Sequence, residues 1–130
     1  MFKKIICAAL VFSALAGCSS NDERERQLEL MASNRASMLS AGLPLEHGPL
    51  KVMRISANKS VIEMMMIYNS DAQGAKPTEQ VLANSIQSYC NSDEIRSQLE
   101  LGLAYRIKIR NSRGQLVADQ LVTAQTCAAK

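Results

Sequence analysis

Residues 103–123 read LAYRIKIRNSRGQLVADQLVT, and this stretch decides the fold class. Leu103, Tyr105, Ile107 and Ile109 alternate with Ala104, Arg106, Lys108 and Arg110. A period of two sends the first set to one side of a β-strand and the second to the other, so one side is buried and the other wet. Asn111-Ser112-Arg113-Gly114 is a turn, with glycine at the position that needs positive φ. Gln115 to Thr123 returns as a second strand, completing a hairpin. The basic side, Arg106, Lys108 and Arg110, reads most simply as a solvated strand face.

A second hairpin lies upstream. Leu50–Ser56 and Val61–Tyr68 are strand-like and are joined by Ala57-Asn58-Lys59-Ser60. The later strand is apolar on both sides: Ile62, Met64, Met66 and Tyr68 on one, and Val61, Met65 and Ile67 around Glu63 on the other. Such a strand is either central and covered on both sides, or keeps one side for a partner. Core is the simplest reading of Met64-Met65-Met66, because methionine packs adaptably. If a partner surface exists, Ile62, Met64 and Met66 are its candidate residues, since their side is apolar throughout.

Helical spacing fills the rest. Leu28, Met31, Ala32, Met38 and Leu39 predict a helix over about 22–41. Ser20 or Asn21 suits its cap, Asp22 and Glu23 suit its dipole, and Gly42 and Pro44 stop it. Leu43 to Pro49 is a connector. Ser70 to Lys76 is a loop, and Pro77 suits the first turn of a helix carrying Val81, Leu82, Ile86, Tyr89 and Cys90. A shorter helix follows at about 93–100, capped by Ser92 and stopped by Gly102. The order helix, hairpin, helix, hairpin predicts a single α+β domain over 27–130, with helices packed on an antiparallel sheet.

The N-terminus is a targeting segment. Met1–Lys4 is basic, and Ile5–Leu15 is an apolar run too short for a membrane span, which needs about 20 residues. Leu15-Ala16-Gly17-Cys18 looks like a bacterial lipobox, with cleavage after Gly17 and acylation of Cys18. Residues 1–17 are thus read as a removed signal peptide and 18–26 as the lipidated cysteine with a polar tether. Loss of Lys3 and Lys4 lowers the formal charge from +3 to +1, with 13 basic residues left against 12 acidic. That balance carries no nucleic-acid footprint, which needs a clustered basic face.

Of the four cysteines, Cys7 leaves with the leader and Cys18 takes the lipid. Cys90 and Cys127 remain, and in an exported chain a disulfide is the favoured reading, with two free buried thiols as the alternative. The bridge would contribute roughly 4 kcal/mol through loop entropy.

Catalytic machinery is missing from the sequence. His47 is the lone histidine and sits in the connector, where a solvated loop residue is the simplest reading. There is no nucleophile elbow, phosphate loop or dinucleotide fingerprint. No cofactor or metal is expected beyond the covalent lipid on Cys18, and the chain is read as a non-enzyme.

The ordered set of features resembles the AspS-type (GspS-beta) pilotins, small lipoproteins of the type II secretion system. The resemblance rests on Cys18, on a first helix ending Ala41-Gly42-Leu43-Pro44, and on the two hairpins. The stretch from Pro77 to Cys127 is the most specific, with its Ser88-Tyr89-Cys90, Gly102-Leu103-Ala104-Tyr105 and Thr126-Cys127. It implies an α/β pilotin that binds the C-terminal segment of a secretin subunit, carries it to the outer membrane through the lipoprotein sorting machinery, and assists assembly there. The implied location is the periplasmic face of the outer membrane, held by acyl chains. In the sorting rule that the resemblance brings, Ser19 rather than Asp after the lipidated cysteine permits release from the inner membrane. The alternative function is another envelope-binding lipoprotein, such as a periplasmic inhibitor.

Overall fold

The computed structural model describes residues 19–129; the leader, the lipobox and Cys18 lie outside the described residues. Helix α1 spans Ser19–Ser40. It starts at once, so the polar stretch expected as a tether is itself helical. Leu28, Ala32, Ala36 and Leu39 form its core-facing stripe, with Ala32 and Ala36 buried and the leucines half-buried. The two alanines let the helix sit close to the sheet. Met31 and Met38 do not join them, and Met38 is 69% exposed. At 100° per residue the two methionines lie on the flank of the stripe. Arg35 lies at its edge, between Leu28 and Met31, and donates to Glu94 at 2.8 Å.

Strand β1, Leu45–His47, replaces the expected connector. Three residues between Pro44 and Pro49 leave too short a pattern to read as a strand, yet they suit an edge, where missing N–H donors cost little. Strands β2 (Leu50–Asn58) and β3 (Val61–Tyr68) form the upstream hairpin. Its turn is two residues long, with Lys59 at φ 55°. A bulge lies between Val52 and Arg54.

Helix α2 covers Thr78–Asn91, with Pro77 at its N-cap, one position before the expected first turn. Helix α3 covers Asp93–Leu101, and the Ser92 side chain accepts from the Ile95 amide. Gly102 ends α3 at φ 118°, and a Cβ there would meet a Leu28 methyl at 3.1 Å. The glycine therefore serves both the left-handed turn and the approach of α1. Strands β4 (Ala104–Arg110) and β5 (Leu116–Val122) are the downstream hairpin. Gly114 has φ 82° in its turn, as the sequence requires.

The sheet order is β1-β2-β3-β4-β5. Each hairpin is antiparallel, but β3 and β4 pair in parallel, so the five-stranded sheet is mixed where an antiparallel one was expected. The cause is the long helical excursion through α2 and α3, which returns the chain to the same end of the sheet before β4 begins. The α+β class stands, and β3 is central.

Cross-strand partners share a side. Ile55, Ile62, Met66, Tyr68, Tyr105, Ile107, Ile109 and Val122 all point one way and are all buried. Helices α1, α2 and α3 lie on that side. The Ser40 hydroxyl donates to the Ile55 carbonyl at 2.7 Å, and the Tyr89 and Tyr105 rings meet edge-on at 5.5 Å. A final short helix, α4 (Ala124–Ala128), was not expected; Thr123 and Thr126 cap it reciprocally. Cys127 on α4 is bonded to Cys90 on α2, fastening the C-terminal end to the helix layer.

Candidate partner groove

The helix layer does not cover the whole side. Between α2 and the β1–β3 end of the sheet lies an open groove of about 720 Å³. Its floor is Leu50 and Val52 from β2 with Met64, Met66 and Tyr68 from β3, and β1 adds Leu45 and His47 at the rim. The α2 wall presents Val81, Ser85, Ser88 and Tyr89. Small and polar wall residues leave the cleft open where leucines would have closed it. Ser85 turns its hydroxyl back onto the Val81 carbonyl at 2.9 Å, which removes its hydrogen-bonding demand from the groove.

Two tyrosines hold the groove's frame. The Tyr89 hydroxyl donates to the Met64 sulfur at 2.7 Å, and the Tyr68 hydroxyl donates to the Lys76 carbonyl at 2.5 Å. Burial raises the Tyr89 phenol well above its ordinary range, and the neighbouring Tyr105 adds to the shift. Burial likewise raises Tyr105, partly offset by Arg35 beside it. Both phenols are neutral donors at physiological pH.

The expected partner residues divide. Met64 and Met66 line the groove, Met64 half-buried and Met66 nearly closed over. Ile62 is wholly buried and belongs to the core: two positions nearer the start of β3, it lies under the helix layer. A period-two pattern gives the side of a strand, but not where along it a helix stops covering it. His47 is also placed differently from expectation. Pairing with Leu50 sets it on the groove side of β1, not in a free loop. The rim strand carries no strong signal in the sequence beyond the spaced Leu45 and His47 between two prolines.

The groove is apolar with scattered neutral donors, and among the described residues Lys76 is its one formally charged lining residue. Among the described residues no carboxylate lines it beside His47. Among the described residues no three His, Cys, Asp or Glu side chains come together as a metal site, and no described helix is long and apolar enough to cross a membrane. The arrangement can bury an apolar surface and fix it with a few hydrogen bonds.

The family model of the type II secretion system pilotin, S protein, matches residues 24–127. Two solved structures are close: the type 2 secretion pilotin EpsS of Vibrio vulnificus and the pilotin AspS of Vibrio cholerae. The first is 65% identical, with TM-score 0.78, over 82% of this chain and 97% of its own. The second is 56% identical, with TM-score 0.78, over 83% of this chain and 99% of its own. A protein of Pseudomonas aeruginosa shares the fold at 17% identity and TM-score 0.69, over 80% of this chain and 96% of its own. Comparison with curated proteins finds no match. An intact α+β domain, a family match running from within α1 to Cys127 and two close Vibrio pilotins agree: the chain belongs to the type II secretion pilotin S-protein family, a family of pilotins and not of enzymes.

Proposed function

We propose that the mature chain is an outer-membrane lipoprotein, acylated at Cys18, that binds the C-terminal segment of a secretin subunit, carries it to the outer membrane and assists its assembly there. The groove floored by Met64 and Met66 carries the binding half of this reading. An amphipathic segment that is disordered when free folds as a helix with its apolar face in such a groove, and its ordering cost moderates the affinity. Methionine side chains adapt to the incoming surface. The lipobox supports the transport half. Each buried CH₂ of an acyl chain contributes about 0.8 kcal/mol, so several chains hold what one holds only reversibly. Ser19 supports sorting to the outer membrane.

The anchoring half is tested in cells. Mass spectrometry of the mature protein should find lipid on Cys18, and Cys18→Ala should leave precursor or soluble protein. Ser19→Asp should keep the lipid but hold protein and cargo at the inner membrane. An unacylated mature wild-type protein would end this part of the proposal.

A further inference from the structure

Among the described residues the other side of the sheet carries no helix, and its residues form an ordered grid. One row across β2, β3 and β4 is Lys51–Ile67–Arg110, and the next is Arg54–Met65–Lys108. Each row sets an apolar side chain between two cations, and neither row holds an acid on these three strands. Strand spacing of about 4.8 Å puts the cations of a row roughly 10 Å apart. Ile67 and Met65 are half-buried and Arg54 is exposed. Among the described residues, Arg54 and Lys108 have no carboxylate partner within salt-bridge distance. Lys51 pairs with Glu46 at 3.2 Å on the β1 edge, and the bidentate Arg106–Asp119 pair lies towards β5. Glu63 stands in the next row, between Ser56 and Arg106, and Asp119 is the β5 neighbour of Lys108, so on this side the five cations Lys51, Arg54, Arg106, Lys108 and Arg110 outnumber the three acids Glu46, Glu63 and Asp119.

We propose that this open sheet face docks on an anionic phospholipid surface. Charge complementarity selects the occupant: long cationic side chains reach a phosphate layer while their stems, with Met65 and Ile67, rest on the apolar margin below it. The leader and lipobox supply the reason for a membrane to be within reach, and the proposal uses that reading only for proximity. Docking by this face leaves the groove, on the opposite side, turned away from the lipid and open to cargo. An acidic protein surface is the rival occupant.

The test uses the chain beginning at Ser19, without lipid, so that its failure is separate from failure of the anchor. The Vibrio relatives show that a domain of this extent folds. Co-sedimentation is measured with phosphatidylethanolamine–phosphatidylglycerol vesicles and with phosphatidylcholine vesicles. Binding is expected to the first, at least about tenfold stronger than to the second, and lost near 1 M salt, where the Debye length is about 3 Å. Arg54→Gln and Lys108→Gln should each weaken it about fivefold, and together about twenty-five-fold. Ser97→Ala, on α3 on the opposite side of the sheet, should leave it unchanged. Equal partition into both vesicles overturns the proposal, as does full binding by a folded Arg54→Gln/Lys108→Gln variant. Absence of binding to anionic vesicles also overturns it and passes the face to an acidic protein.

Discussion

The Tyr89 hydroxyl donates to the sulfur of Met64 at 2.7 Å, joining the helical wall of the groove to its floor. The donor is a buried phenol raised far above its usual value of 10.0. An unfolded chain ionises this tyrosine near pH 10, while the folded one keeps it neutral. The folded state then binds more protons than the unfolded, so stability falls as pH rises past 10. Denaturant midpoints measured from pH 8 to 11 should show this decline, and Tyr89→Phe should make it shallower, leaving the smaller share of Tyr105. At pH 7 the same substitution should cost about 1 kcal/mol for the lost hydrogen bond. An equally steep alkaline decline in the variant would show that another group governs it.

Reduction of Cys90–Cys127 frees α4 from α2. The bridge closes a separation of 37 residues, and its loss should cost about 2–4 kcal/mol, or roughly 10–20 °C in Tm. Calorimetric scans with and without reductant check this, and superimposable transitions would contradict it.

Arg35 holds α1 against α3 at a cost. Its guanidinium pairs with Glu94, which is 65% exposed, so the pair contributes at most about 1 kcal/mol. Its Nε atom is buried with no hydrogen-bond partner among the described residues, which offsets part of that gain. Arg35→Met, which keeps the stem, should lie within about 1 kcal/mol of wild type. Arg35→Ala, which leaves a gap beside Ala32 and Ala36, should lose about 2 kcal/mol. Urea unfolding separates the two, and equal large losses would assign the effect to charge.

Sequence periodicity reached as far as local rules reach. Alternation at Leu103–Arg110, the Ser92 cap and the turns at Gly102 and Gly114 appear where the residues demand them, because each is set within a few positions along the chain. What escaped was set by distant partners. The parallel pairing of β3 with β4 follows from where two helices return the chain. Strand β1 exists because β2 offers it an edge, and Met38 is exposed because α1 settles on its alanine stripe. The same distinction explains the groove: alternation put Ile62, Met64 and Met66 on one side, but only the reach of the helix layer separates buried Ile62 from Met64 and Met66 on the groove floor.

Titration calorimetry of the chain beginning at Ser19 with a peptide from the C-terminus of its cognate secretin tests the central claim most directly. Saturable binding is expected, with a negative heat-capacity change as apolar surface is buried and helix formation in a peptide too short to be stably helical alone. Met64→Asp, which brings an unpaired carboxylate to the groove floor, should weaken the affinity at least about tenfold while the domain stays folded. No heat of binding from any C-terminal secretin segment, or full affinity in a folded Met64→Asp variant, would contradict it.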